Sequence, residues 1–399
     1  MSGQLPGAKE LWERFMATMK TRAGLVCIAT VLLFGVTTGV ARDPMATFLS
    51  ILARFSIFFI ITLSLNLETG HTGIPQFGRV LAVIAGAYAV AAIPGRILAA
   101  AMGLPCGLRY GDDTVNYKVV PRVNEMLAAN PALSIGVFVF SLALAAACGA
   151  AVGWLCSRPA IRLREAYLGI SLLAFGDVMM WIGHNWEPLV GGSTGVFVPD
   201  PFAFTGGGRL EHVIVVSILV VMAIGSLIFV EMITRSPLGR TFKMHRDCEL
   251  AACVYGRDIV KVRTRSLMIG SALAAIGGGL YVFYTHTCKA ITFDRATWTF
   301  WPWAYMMLGG IGSNIGVLFG VMLYTVIRYN IVVRRHFLEK VVPFDPIWLD
   351  PLLGGIMLVL IVLFLPYGLV PEKPVSTLPR RQIEEMLKKV RARSGKSGS

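Results

Sequence analysis

Residues 212–233 read HVIVVSILVVMAIGSLIFVEMI, residues 235–265 read RSPLGRTFKMHRDCELAACVYGRDIVKVRTR, and residues 266–285 read SLMIGSALAAIGGGLYVFYT. Two apolar runs, each near the ~20 residues a helix needs to cross a bilayer, thus flank a loop with eight Lys or Arg and three acids. Such a loop is retained on the cytoplasmic side by its charge. It also carries a short helix with marked ends, predicted over 247–255. Asp247 suits the N-cap, Glu249 lies in the first turn where the helix dipole favours a carboxylate, and Gly256 suits the position after the C-cap. Leu250, Cys253 and Val254 give it an apolar face, which is either a docking surface on that side or part of an ordinary loop.

The same pattern extends outward over the whole chain. Of 399 residues 55% are hydrophobic and 15% charged, and mean hydropathy is +0.66. The fold expected is an all-α polytopic membrane protein of about eight transmembrane helices plus a broken, re-entrant helical hairpin. Spans are predicted at 24–40, 48–67, 80–101, 132–156, 167–185, 212–233, 266–285 and 352–370, with the broken region at 297–327. The membrane domain is then 24–371, with 1–23 a cytoplasmic segment, 234–265 a cytoplasmic loop and 372–399 a basic cytoplasmic tail. The net charge of +14 sits beside the apolar runs, so it serves topology and anionic lipid rather than nucleic acid. Seven cysteines without a C-x-x-C spacing argue against a metal site; Cys106 and Cys288, both expected outside, leave a disulfide open.

Basic residues before the first span, after the fourth and after the sixth fall on one face if each span crosses once, and that face is cytoplasmic. Segments 102–131 and 186–211 then face outward, the first as a solvated loop or with Arg109, Lys118 and Arg122 as docking charges. Seven crossings before an inside tail require 297–327 to cross an even number of times or not at all. Its run Gly309-Gly310-Ile311-Gly312-Ser313-Asn314-Ile315-Gly316 suits no helix middle. A hairpin entering and leaving on the outer face fits, as do two short crossings. Asp177 stands deep in a span, where a carboxylate is usually functional or paired. Arg54 either pairs with it or reaches to the headgroups. Trp186, Trp298, Trp301 and Trp303 read as an interfacial belt.

In order along the chain come Asn66…Gly70…Gly73…Gly78 with Gly86-Ala87-Tyr88, then Tyr167, Phe175, Asn185, Gly191, Gly192 and Gly195. Ser236, Gly239, Arg240, Arg246, Glu249, Ala251, Ala252 and Gly256 follow, then Leu308-Gly309-Gly310-Ile311-Gly312-Ser313. Together these resemble the permease subunits of ABC-type branched-chain amino acid importers, the LivM-like branch, from about residue 48 to 327. The departures are Asp177, where the family usually has Glu, and Pro75-Gln76-Phe77-Gly78-Arg79, where it has S-L-G-H.

The resemblance implies a non-enzymatic transport subunit in the cell membrane, and the basic flanks put both termini on the cytoplasmic side. It implies a second permease, two ATPases below that bind ATP and Mg, and a binding protein above. Arg240, Arg246, Glu249, Leu250, Val254 and Gly256 would couple to the ATPase. Asn66, Gly70, Gly73, Asp177, Gly191, Gly192, Gly309 and Gly310 would line the substrate path. No cofactor is expected in this chain: Gly395-Lys396-Ser397 has Val390 where a phosphate-binding loop needs glycine. Urea or short amides are alternative cargo, and an ion-coupled carrier using Asp177 or a channel filtered at 309–316 are alternative functions.

Overall fold

The structure is a computed structural model that describes residues 22–39, 43–104, 107–162, 165–335, 348–364 and 367–372, with the single positions 339 and 345. The expectations for 1–21, Cys106 and 373–399 lie outside these. Helix α1 is Arg22–Gly39, α2 Pro44–Leu65, α3 Arg79–Ala101, α4 Asp113–Ala129, α5 Pro131–Arg162, α6 Glu165–Asn185 and α7 Glu187–Val190. Then come α8 Gly208–Arg235, α9 Pro237–Asp247, α10 Glu249–Val254, α11 Ile259–Thr285, α12 Trp301–Gly309, α13 Asn314–Val333 and α14 Leu349–Phe364. Two short strands, β1 (Val196–Phe197) and β2 (Thr287–Cys288), pair antiparallel with Val196 opposite Cys288.

Among the described residues seven helical segments are long and apolar enough to cross a membrane. α3 and α11 form the buried middle, with 78% and 72% of their apolar windows covered, whereas α5, with 17% covered, presents most of its apolar surface outward. Small residues set these contacts, since helix association in lipid depends on close packing rather than on hydrophobic burial. A Cβ at Gly86 of α3 would overlap the Ala275 carbonyl on α11, and one at Gly153 of α5 would overlap that of Leu267.

Helix starts follow local chemistry. Ser236 caps α9 ahead of Pro237, Asp258 accepts from Lys261 N at 3.3 Å to cap α11, and Ser313 accepts from Gly316 N at 3.1 Å to cap α13.

The broken hairpin is present, with unequal arms. A π turn at Ala296–Phe300 leads into the nine residues of α12; Gly310 (φ 120) and Gly312 (φ 80) turn the chain; α13 returns over 20 residues. That arm is about 30 Å long at 1.5 Å per residue, long enough and apolar enough to cross a bilayer, where the re-entrant reading expects a short half-helix. Segment 102–131 is not a loop: Asp112 caps α4, whose Val119, Val120, Val123 and Leu127 pack on Leu98, Ala99 and Tyr110. Its charges lie around an apolar stripe, and that stripe decides the structure.

Candidate functional site

The break after α2 continues as a π turn, Asn66–His71, before the extended stretch leading to Arg79. Asn66 is fully buried. Its Oδ1 accepts from Gly312 N at 2.9 Å, its Nδ2 donates to Asn314 Oδ1 at 3.0 Å, and Asn314 Nδ2 donates to Glu231 Oε2 on α8 at 2.8 Å. The relay has one possible direction: an amide N–H supplies only a donor at one end, and a carboxylate only acceptors at the other. A Cβ at Gly70 would overlap Asn66 Oδ1 and lie 2.7 Å from Gly312 N, so the close approach of the π turn to the hairpin tip needs glycine there.

The basic loop reaches the same place. Arg246 Nη1 donates to Gly70 O and to Glu372 Oε2, each at 2.7 Å, and Lys243 lies 2.7 Å from Glu372 Oε1. Leu369 N and Val370 N donate to Leu308 O and Gly309 O at 2.9 Å, strapping residues 367–372 along the tip. Burial raises the Glu372 carboxyl, but Lys243 and Arg246 outweigh it and hold the group below its ordinary range. His245 Nδ1 is 3.1 Å from Thr72 O and its Nε2 2.9 Å from Glu249, which also pairs with Arg263. Asn66, Gly70, Gly73, Arg246, Glu249, Gly309 and Gly310 therefore form one connected region.

The loop helix starts two residues later than expected. Asp247 ends α9 and bonds Arg246 at 3.1 Å, and α10 begins at Glu249 with Cys248 at its N-cap. The reason is α9 itself, whose Ser236-Pro237 start carries its helix through Asp247. Gly256 (φ 71) closes α10: its N–H donates to Cys253 O, and Arg257 N to Ala252 O. Leu250 is 79% and Val254 86% exposed, beside exposed Tyr255. Arg240 is exposed on α9.

The remaining path residues lie elsewhere. Asp177 pairs with Arg295 at 3.0 Å, not with Arg54, and its side chain is 31% exposed. Arg54 instead lines a separate cavity with Arg328 and Asp294. Gly191 (φ 77) and Gly192 (φ 59) make a tight turn after α7, against Gly195 and Glu187. Nearby, Asp200, Glu211 and His286 bring ligand atoms within 4.8 Å of one another. Cys288 is a fully buried free thiol. Trp298 is not an interfacial residue: it is buried, stacks on Phe58 at 5.3 Å and donates to Thr292 O at 2.9 Å.

Sequence reasoning missed the most buried carboxylate. Glu68 and Arg79 are both wholly inaccessible and pair with each other, and Gly270 leaves room for the Glu68 carboxylate. Assigning 66–78 to a connecting loop hid the pair; the available signal was one acid and one base framing an otherwise uncharged stretch apart from His71. Removing either partner of such a pair strands a buried charge and costs about 3–5 kcal/mol.

Residues 47–362 match the profile of a family described as the permease component of branched-chain amino acid transport systems. A protein of Methanocaldococcus jannaschii named "Probable branched-chain amino acid transport permease protein LivM" is 36% identical over 350 residues, 87% of this chain and 98% of that protein. High-affinity branched-chain amino acid transport system permease proteins LivM of Salmonella typhimurium and Escherichia coli are 28% and 27% identical, each over 58% of this chain. This chain spans 56% of the length of each of those two. No solved structure matches.

Proposed function

Because this chain belongs to the family of permease components of branched-chain amino acid transport systems, we propose that it is the membrane subunit of an ABC importer that carries branched-chain amino acids inward. The family match favours this reading over an ion-coupled carrier or a channel. In it, a second permease completes the pore, two ATPases bind ATP and Mg on the side of α10, and a binding protein delivers cargo to the opposite face. Both termini lie with α10 in the cytoplasm.

The observation that supports coupling through α10 is its double character. Its outer face leaves Leu250 and Val254 almost uncovered, and its inner face is tied through Glu249, His245 and Arg263 to Thr72 O beside the π turn. An apolar helix face seated in a partner groove is a common docking mode, and displacement of α10 would pull on the backbone that carries Asn66 and Gly70. Arg246 acts inside this linkage, holding the tip strap, rather than on the partner.

Burying Leu250 and Val254 at the ATPase is worth about 1.5–3 kcal/mol for each side chain. L250D/V254D should therefore weaken ATPase association at least a hundredfold and stop ATP-driven uptake in vesicles, with membrane insertion unchanged. Full uptake by that variant would end the coupling role of α10.

A further inference from the structure

At the end of α11 remote from α10, a cavity of about 360 Å³ opens between α2, α11, α13 and the π turn at Ala296–Phe300. Its α11 lining begins at Tyr281, 22 residues beyond Ile259, which places it about 33 Å from the α10 end of the helix. Its size falls in the range of small-molecule sites, ~300–1,000 Å³. One wall is aromatic: Phe58 stacks on Trp298 at 5.3 Å, and Tyr281 meets Trp298 edge-on at 4.7 Å.

The other walls carry charge. Arg328 is engaged by Asp350 at 2.9 Å. Asp294 uses one carboxylate oxygen to accept from Thr297 N at 2.9 Å. Arg54, about 15 Å along α2 from Pro44, is exposed and makes no hydrogen bond or ion pair among the described residues. A guanidinium at that depth is costly unless it meets water or an anion, and its planar fork matches a carboxylate. A free guanidinium, one carboxylate and an aromatic wall in one hollow fit the three parts of an apolar α-amino acid.

We propose that this cavity is the entry site of the permease for a zwitterionic aliphatic amino acid. Arg54 takes the carboxylate, Asp294 the ammonium, and Phe58, Tyr281 and Trp298 the side chain. The proposal rests on the importer reading above for its cargo.

Equilibrium binding of leucine, 4-methylpentanoate (no ammonium) and 3-methylbutylamine (no carboxylate) to the full chain in lipid nanodiscs tests it. Leucine should bind at least tenfold tighter than either analogue. R54Q should lose tenfold or more for leucine while 3-methylbutylamine is unaffected, R54K should recover most of that loss, and D294N should lose leucine while keeping 4-methylpentanoate. Wild-type leucine affinity in R54Q, or no leucine binding by the folded wild-type chain, overturns the site. ATP-driven leucine uptake by the assembled importer judges the other reading independently: uptake that persists while the site fails leaves the importer standing, and a fully assembled importer that moves no amino acid removes it.

Discussion

Replacing Asn66 with leucine should uncouple the π turn from the hairpin tip, and the cost can be worked group by group. The substitution leaves Gly312 N–H buried without an acceptor, a penalty of about 1–3 kcal/mol. It also removes the bond to Asn314 Oδ1, but that oxygen retains His71 Nε2 at 3.2 Å, so only a net bond of about 1 kcal/mol is lost. The sum is about 2–4 kcal/mol, a factor of roughly 30 to 1,000 in the unfolding constant. N66D keeps an acceptor for Gly312 yet sets a carboxylate against Asn314 Oδ1. Turning the Asn314 amide over would then oppose its oxygen to Glu231, so the relay cannot reverse and N66D should be nearly as damaging. Reversible unfolding in mixed micelles, followed as SDS mole fraction rises, measures both. A stability within about 0.5 kcal/mol of wild type for N66L would refute the relay as a structural element.

Two further outcomes are expected. Because Glu372 titrates below the ordinary carboxylate value of 4.5, its hold on the tip is fully present above that value and is lost as pH falls through the depressed one. The Leu369 and Val370 amides should then exchange hydrogen faster, after correction for intrinsic rates, only in that acid range in wild type and at every pH in E372Q; wild-type protection of E372Q at neutral pH would contradict the strap. For topology, a cysteine introduced at exposed Arg334, after α13, should react with an impermeant thiol reagent in intact cells, whereas the exposed native Cys248 and Cys253 at α10 react only after lysis. Protection of both positions would place the α13–α14 connection inside.

The apolar runs alone determined that this chain is a bundle of membrane helices, because crossing a bilayer demands about 20 apolar residues whatever the neighbours are. Glycine determined where these helices break: Gly310 and Gly312 turn the hairpin and Gly256 ends α10, as local backbone energetics requires. Charge density marked the α9–α10 loop before any contact was known. Partnership was not legible. Asp177 found Arg295, 118 residues away; Glu68 found Arg79 inside what read as a loop; Asn66 found Gly312 and Asn314 across nearly 250 positions. In each case the residue type announced only a need for a hydrogen bond or countercharge. Which group supplied it was decided by how α2, α3, α6 and the hairpin pack, since burial removes water as the alternative partner of Asn66 and Glu68 and leaves only what the neighbouring segment presents.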